Sequence, residues 1–343
     1  MPTIDHFIFD PVANMQQRDA GRFIAYIERA ALKLGILDVL KDDGGSTLFE
    51  LAGLLGLDGR ALAFFLSALC ELGYVESMGG YFGVTDFGRS VVACEIPAAN
   101  NPPNPFDSLW SFLSEAIREG GPQVHRVFEE HTNFFSACYE DPDRLRDFCN
   151  FMLGFSVPAG REIAREIDFS ESREVLAVAG GLGGMLHEIM FAHQHLRGTI
   201  LESPRVCDIA RDYLAHIGTR ASRRIGVQAG DLVGSYPNAD VVLLDGVLAS
   251  WSDESALRIL QHSLSCLPRG GRVVLSEFVL GLGEERRGYP SLLSLILLLA
   301  YERGARTRTK KEFFSLLEKA GFADLRYIVV PDGRGNIIVG RKP

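Results

Sequence analysis

The 343-residue chain has no long hydrophobic run, no excess of basic charge and no paired cysteines. Each absence removes a class of protein. The longest apolar stretch, Leu292 to Ala300, is broken by Ser294 and is less than half the roughly 20 residues a membrane-spanning helix needs. The opening segment, Met1 to Asp10, lacks the basic start and apolar core of a secretory signal. Lys plus Arg is 35 against 44 Asp plus Glu, a net charge of -9. Phosphate binding needs a basic face, so nucleic acid is not expected as a partner. The six cysteines, Cys70, Cys94, Cys138, Cys149, Cys207 and Cys266, form no CxxC pair, and none stands at zinc-ligand spacing with histidine. No metal is expected, and free thiols suit a reducing compartment. The expectation is a soluble cytoplasmic protein with no membrane partner.

What is present is ordinary globular composition, 47% hydrophobic and 23% charged, over a length that suggests about two domains. Phe23, Ile24, Tyr26, Ile27, Ala30, Ala31, Leu34, Leu37 and Leu40 recur mostly at helical spacing. Ser46 and Thr47 can cap a helix over Leu48 to Leu55, with Glu50 in its first turn. After Asp58-Gly59 a further helix is predicted over Ala61 to Leu72. Two short runs, Tyr74 to Ser77 and Tyr81 to Val84, flank a Gly-Gly turn and read as a hairpin. Helices followed by such a hairpin make a winged helix over residues 1–100. Its third helix carries only Arg60 as a basic residue, which favours packing or dimerisation over DNA binding.

Asn100 to Pro105 reads as a linker, and Trp110 to Ile167 is again helical in period. Residues 101–170 hold many aromatics. Such residues usually pack a core, but Phe151, Met152 and Phe155 are also candidates for walling a pocket for a flat organic substrate. From Arg173 strands alternate with helices, which predicts an α/β domain over 171–343 with a doubly wound parallel sheet. A final hairpin around Asp332-Gly333 adds an antiparallel edge strand.

Val175 to Gly184 is a buried strand running into a glycine turn at a helix start, where backbone N–H groups can meet a ligand. Glu202, at the end of the next strand, stands where an acidic residue grips ribose hydroxyls. Ala179-x-Gly181-x-x-Gly184 is close to a dinucleotide fingerprint, and it fits a nucleoside loop equally well.

Further segments follow in order: Gly230-Asp231-Leu232; Asp240 to Glu254; Pro268 to Arg272 before a strand ending Ser276-Glu277; and Gly304 to Thr309 before Glu312-Phe313. With the winged helix, this series resembles the two-domain S-adenosylmethionine-dependent O-methyltransferases of plant phenolic and bacterial antibiotic-tailoring type, over nearly the whole chain. The resemblance implies a Rossmann-like domain that holds S-adenosylmethionine, a homodimer built by the N-terminal domain, and a small-molecule acceptor walled by the middle helices. Carried over by position, Gly180, Gly181 and Gly183 would lie under the methionyl part of the cofactor. Glu202 would accept from the ribose hydroxyls and Asp231 from the adenine amino group, with Leu232 against the ring.

The sequence departs from the family at the catalytic base. Where the family has a histidine before its Trp-Ser-Asp-Glu turn, this chain has Ala249. Of the two carboxylates that orient that histidine, Glu277 is retained and Thr307 takes the place of the other. Ala177 and Ala179 also depart in the cofactor loop. Asp245 falls near the cofactor's carboxylate, where it would repel that group or bind the ammonium. His125 and His131 lie in the segment expected to wall the pocket, and His131 is a candidate replacement base. Two readings follow. One is a methyltransferase acting on a natural-product acceptor that needs no histidine base: an enol carbon, an amine or an acidic phenol. The other is a non-methylating enzyme on the same fold, such as a cyclase or pericyclase, a decarboxylase or a hydroxylase.

Overall fold

The computed structural model describes residues 23–24, 26–28, 30–41, 45–92, 107–281, 290–330 and 335–343. The described residues fall into two compact units, one within Met1–Ala137 and Arg287–Arg306, the other within Cys138–Arg286 and Thr307–Pro343. The linker expected at Asn100 to Pro105 and the turn at Asp332-Gly333 lie outside the described residues.

The first unit is mainly helical. The apolar stripe from Phe23 to Leu40 is not one helix, because Gly35 adopts φ 71° and separates a short helix, Ile36–Val39. Helix Leu48–Leu55 is closed by a reciprocal capping box between Thr47 and Glu50. Asp58 caps helix Gly59–Glu71 by accepting the Ala61 N–H at 2.8 Å. That helix, the third of the winged helix, buries Ala61, Leu62, Phe64, Phe65, Leu66, Ala68 and Leu69. Strands β1 (Ser46–Thr47), β2 (Val75–Met78) and β3 (Tyr81–Val84) form a small antiparallel sheet in the order β1-β3-β2.

Helix Pro290–Ala300 belongs to this unit although it lies late in the sequence. Its Leu292, Leu295, Leu298 and Leu299 join Leu62, Leu66, Leu113 and Ile117 in one core. The Leu299 carbonyl accepts the Gln123 N–H at 2.8 Å. The apolar run that is too short to span a membrane is thus a buried core helix. Among the described residues no single helix is long and apolar enough to cross one.

The second unit is a seven-stranded sheet in the order β6-β5-β4-β7-β8-β10-β9. Strands β4 (Glu174–Val178), β5 (Arg197–Glu202), β6 (Ile225–Ala229), β7 (Val241–Asp245) and β8 (Arg272–Glu277) run parallel. The terminal hairpin, β9 (Ala323–Ile328) and β10 (Asn336–Arg341), is antiparallel. Its second strand pairs with β8 and its first forms the edge. Cores cover both faces of the sheet, one around Val242, Leu244, Leu260 and Phe313, the other around Ile163, Leu186, Ile189 and Leu243. Helix Pro142–Glu166 continues through Pro158 and packs on helix Gly184–Ala192. The close fit there needs glycine: a Cβ on Gly160 would lie 2.6 Å from the Met185 carbonyl oxygen.

Candidate functional site

The five parallel strands end at one edge of the sheet, and the strand order switches direction between β4 and β7. Open parallel sheets bind ligands outside such carboxyl ends. The ends of these strands carry the glycine loop, Glu202, Asp231, Asp245 and Glu277.

The chain leaves β4 through Ala179, a non-glycine residue at φ 50°, whose N–H donates to the Leu201 carbonyl at 2.9 Å. This left-handed backbone costs an L-residue roughly 1–2 kcal/mol. A residue read as replacing glycine has therefore kept a glycine conformation. Gly181 at φ 54° and Gly183 at φ 84° complete the turn. A Cβ on Gly180 would meet the Ala177 Cβ at 2.8 Å, and one on Gly183 would meet Ile200 Cδ1 at 2.5 Å. A Cβ on Gly181 would meet nothing within 4 Å. Helix Gly184–Ala192 starts directly behind with no side-chain cap, leaving its first N–H groups for a ligand.

Glu202 is 8% exposed, and its two oxygens accept from the backbone. Oε1 takes the Gly181 N–H at 3.3 Å and Oε2 the Ser203 N–H at 2.7 Å. Burial still raises its pKa above the ordinary carboxylate value. Asp231 opens the turn after β6, its Oδ1 accepting the Val233 N–H at 3.1 Å. Leu232 is half-buried beside the core, and its carbonyl accepts the Tyr236 hydroxyl at 2.6 Å. Asp245 closes β7, and burial pushes its carboxyl up to about 6, tempered by the Ser276 hydroxyl.

The turn that carries Ala249 is a short 3₁₀ segment, Leu248–Ser250, held from two sides. Glu277, 2% exposed at the end of β8, accepts the Leu248 N–H at 2.8 Å, and the Ala249 N–H contributes more weakly. Arg308 is completely buried. It donates to the Leu248 carbonyl at 2.6 Å, the Trp251 carbonyl at 2.7 Å and Asp253 Oδ1 at 2.8 Å. Burial pushes the Glu277 carboxyl up to about 8. The turn N–H groups and Arg308 pull it down, and Asp245 pushes it further up. Thr307, beside Arg308, is buried too.

Beyond Glu277 the Phe278 ring meets Phe155 edge-on at 6.2 Å, and Phe155 meets Phe151 edge-on at 5.2 Å. Two of the three expected wall residues, Phe151 and Phe155, therefore form an aromatic row with Phe278. Met152 is the half-buried neighbour of Phe151 on the same helix. His131 lies in the first unit, in the turn before helix Phe134–Glu140, its N–H donating to the Phe128 carbonyl at 2.9 Å. Among the described residues no cluster of His, Cys, Asp or Glu could hold a metal ion. Two residues gain roles that the sequence left unassigned, Arg308 and Phe278. Nothing in a single sequence marks an arginine as buried before its carbonyl partners are known.

Comparison with known proteins agrees with this geometry. The sequence profile of the O-methyltransferase domain family matches residues 110–323, and a winged helix-turn-helix profile matches residues 29–76. The S-adenosyl-L-methionine-dependent methyl transferase PigF of a Serratia species is 27% identical over 320 residues, covering 91% of this chain and 90% of PigF. Phenazine O-methyltransferase PhzM of Lysobacter antibioticus is 27% identical over 334 residues, covering 95% of each chain. The solved structure of PigF with SAH superposes with a TM-score of 0.64 at 26% identity, covering 96% of this chain and 99% of that one.

Proposed function

Because the chain belongs to the O-methyltransferase domain family, we propose that it is a cytoplasmic enzyme that methylates a small-molecule natural product from S-adenosylmethionine without a histidine base. The observation that carries this reading is the buried Glu202 carboxylate bonded to Gly181 of the glycine turn. A carboxylate kept from water and met by the Gly181 and Ser203 N–H groups suits a ribose diol, which brings two further donors. The turn fits as well, since Gly180 and Gly183 have no room for a side chain and Gly181 faces open space.

The cofactor, when bound, supplies an electrophilic methyl group on a sulfonium. The chain binds and orients. Gly180, Gly181 and Gly183 bring backbone against the methionyl part. Glu202 accepts from the ribose hydroxyls, Asp231 from the adenine amino group, and Leu232 covers the ring. Asp245 takes the ammonium, a cation suited to a carboxylate held in a poorly solvated place. Phe151, Met152 and Phe155 present an apolar face to a flat acceptor, and alignment on that face supplies much of the rate. Calorimetry tests the reading. S-adenosylhomocysteine should bind and NADH should not, and the reverse result sinks it.

The protein also works as a homodimer in this proposal. Phe49, Leu54, Met78, Tyr81 and Phe87 are exposed apolar residues of the first unit, an arrangement that favours a covering partner. Light scattering should give about twice 37.7 kDa, and a monomer at micromolar concentration contradicts it.

A further inference from the structure

Helix Pro142–Glu166 carries, four residues apart, the two residue types that helix interiors disfavour most, Gly154 and Pro158. The helix runs through both without a break. Proline has no N–H, so the bond that would close this turn, from residue 158 to the Gly154 carbonyl, cannot form. The proline ring also crowds that carbonyl and tilts it outward. Gly154 brings no side chain to fill the space. It is exposed, and a Cβ built on it would meet nothing within 4 Å. An oxygen deprived of its helical donor thus sits in an uncovered turn.

That turn is the one that carries the proposed acceptor wall. At about 100° per residue, Phe151, Gly154, Phe155 and Pro158 fall within an arc of about 100° on one side of the helix. The Phe151 and Phe155 rings meet edge-on at 5.2 Å along this side, and Phe155 meets Phe278 at 6.2 Å. Phe151 is 40% exposed, so the row is open to a ligand. The opposite side is anchored on helix Gly184–Ala192. A Cβ on Gly160 would lie 2.6 Å from the Met185 carbonyl oxygen, and one on Gly184 would lie 2.7 Å from Ser156 Oγ and 2.8 Å from Leu153. This packing fixes which side of the turn stays open.

An apolar row alone accepts a flat ring in many orientations. A hydrogen-bond acceptor at its margin selects a ring that brings a donor. We propose that the Gly154 carbonyl, freed by Pro158, is a specificity-determining group that takes a hydrogen bond from the acceptor molecule. This rests on the methyl-transfer reading and adds the acceptor class to it. The acceptor is a flat aromatic with a hydroxyl or N–H group besides the one that is methylated. A carbonyl oxygen only accepts, so a carboxylate at that place on the ring is disfavoured. In the free protein water meets the oxygen. Binding exchanges one hydrogen bond for another, and the preference it creates is modest.

The test uses the full chain loaded with S-adenosylhomocysteine and two probes, 2,6-dihydroxynaphthalene and 6-methoxy-2-naphthol. Both keep one naphthol hydroxyl, and only the first has a second donor. Calorimetry should show the wild type preferring the dihydroxy probe by about 3- to 10-fold. Pro158→Ala and Pro158→Ser each return an N–H to the Gly154 carbonyl and leave the rings in place. Both variants should bind S-adenosylhomocysteine as the wild type does, with unfolding midpoints no lower, and the preference should disappear. Gly154→Ala keeps the oxygen and narrows the space beside it, so it should weaken both probes alike and retain the preference. A wild type that binds the two probes equally or binds neither overturns the proposal, as does a preference that survives in both Pro158 variants. S-adenosylhomocysteine binding then keeps the parent reading intact. Loss of that binding in the wild type overturns both.

Discussion

Glu277→Gln should make the protein more stable than the wild type in alkaline solution and nearly equal to it in acid. Glutamine keeps the shape and the acceptor oxygen for the Leu248 N–H, and it removes the titration. In the folded wild type burial raises this carboxyl from 4.5 to about 8, while in the unfolded chain it keeps its ordinary value. Between those two pH values the folded protein holds a proton that the unfolded chain has released. Stability is therefore full below about pH 4.5 and falls as pH rises through about 8. At about 1.4 kcal/mol per pH unit, a gap of this size is worth roughly 5 kcal/mol once complete. Asp245, raised to about 6, titrates in both proteins and largely cancels in the difference. Urea unfolding followed by circular dichroism at a series of pH values measures the difference directly. It should be small at pH 5 and grow to several kcal/mol by pH 8.5, in favour of the variant. A difference that is flat with pH, or one that shifts towards the wild type in alkali, would refute the reasoning.

Arg308→Met should destabilise by about 3–5 kcal/mol in the same unfolding assay, since it strips the Leu248 and Trp251 carbonyls of a buried donor and leaves Glu277 without its nearby positive charge. Glu202→Ala should weaken S-adenosylhomocysteine binding by about 1.5–3 kcal/mol in calorimetry, with little change in unfolding midpoint. Ala179→Gly should be neutral or stabilising by up to about 1 kcal/mol, the relief at φ 50° offsetting the added freedom of the unfolded chain. Ala179→Val should destabilise, because a branched side chain tolerates that backbone less well than alanine.

Local signals in the sequence were legible where a residue type carries its own geometry. Thr47 with Glu50 forms a capping box as read, and Thr309 with Glu312 forms a second. The glycine turn declared itself because only glycine readily supplies two left-handed residues and close contact with Ile200. Glu202 and Glu277 could be placed because each ends an apolar strand. The family resemblance then gave these residues roles that no periodicity assigns. What stayed hidden depends on partners distant in sequence. Arg308 looks like any charged residue in a polar stretch, since its carbonyl partners lie 60 and 57 residues away. Gly35 interrupts a stripe that keeps helical period on both sides, and Pro158 sits within a continuous helix. Packing overrode the local preference of Pro158, whereas Gly35 followed its own freedom to take positive φ.

The helix Pro290–Ala300 has a consequence for the order in which the protein can be made. Its leucines complete a core whose buried residues outside the helix all precede Cys138. A chain emerging from the ribosome therefore displays most of that core, including Leu62, Leu66, Leu113 and Ile117, for as long as the intervening residues take to appear. At roughly 5–20 residues per second this is an interval of about 8 to 30 seconds. The first unit cannot be completed until this late helix has been made, and the sheet unit gains its final hairpin only after that. Fragments cut at residue 137 or 286 would part the helix from its core or leave it with nothing to cover, so heterologous expression should favour the undivided chain with a chaperone present while synthesis is under way.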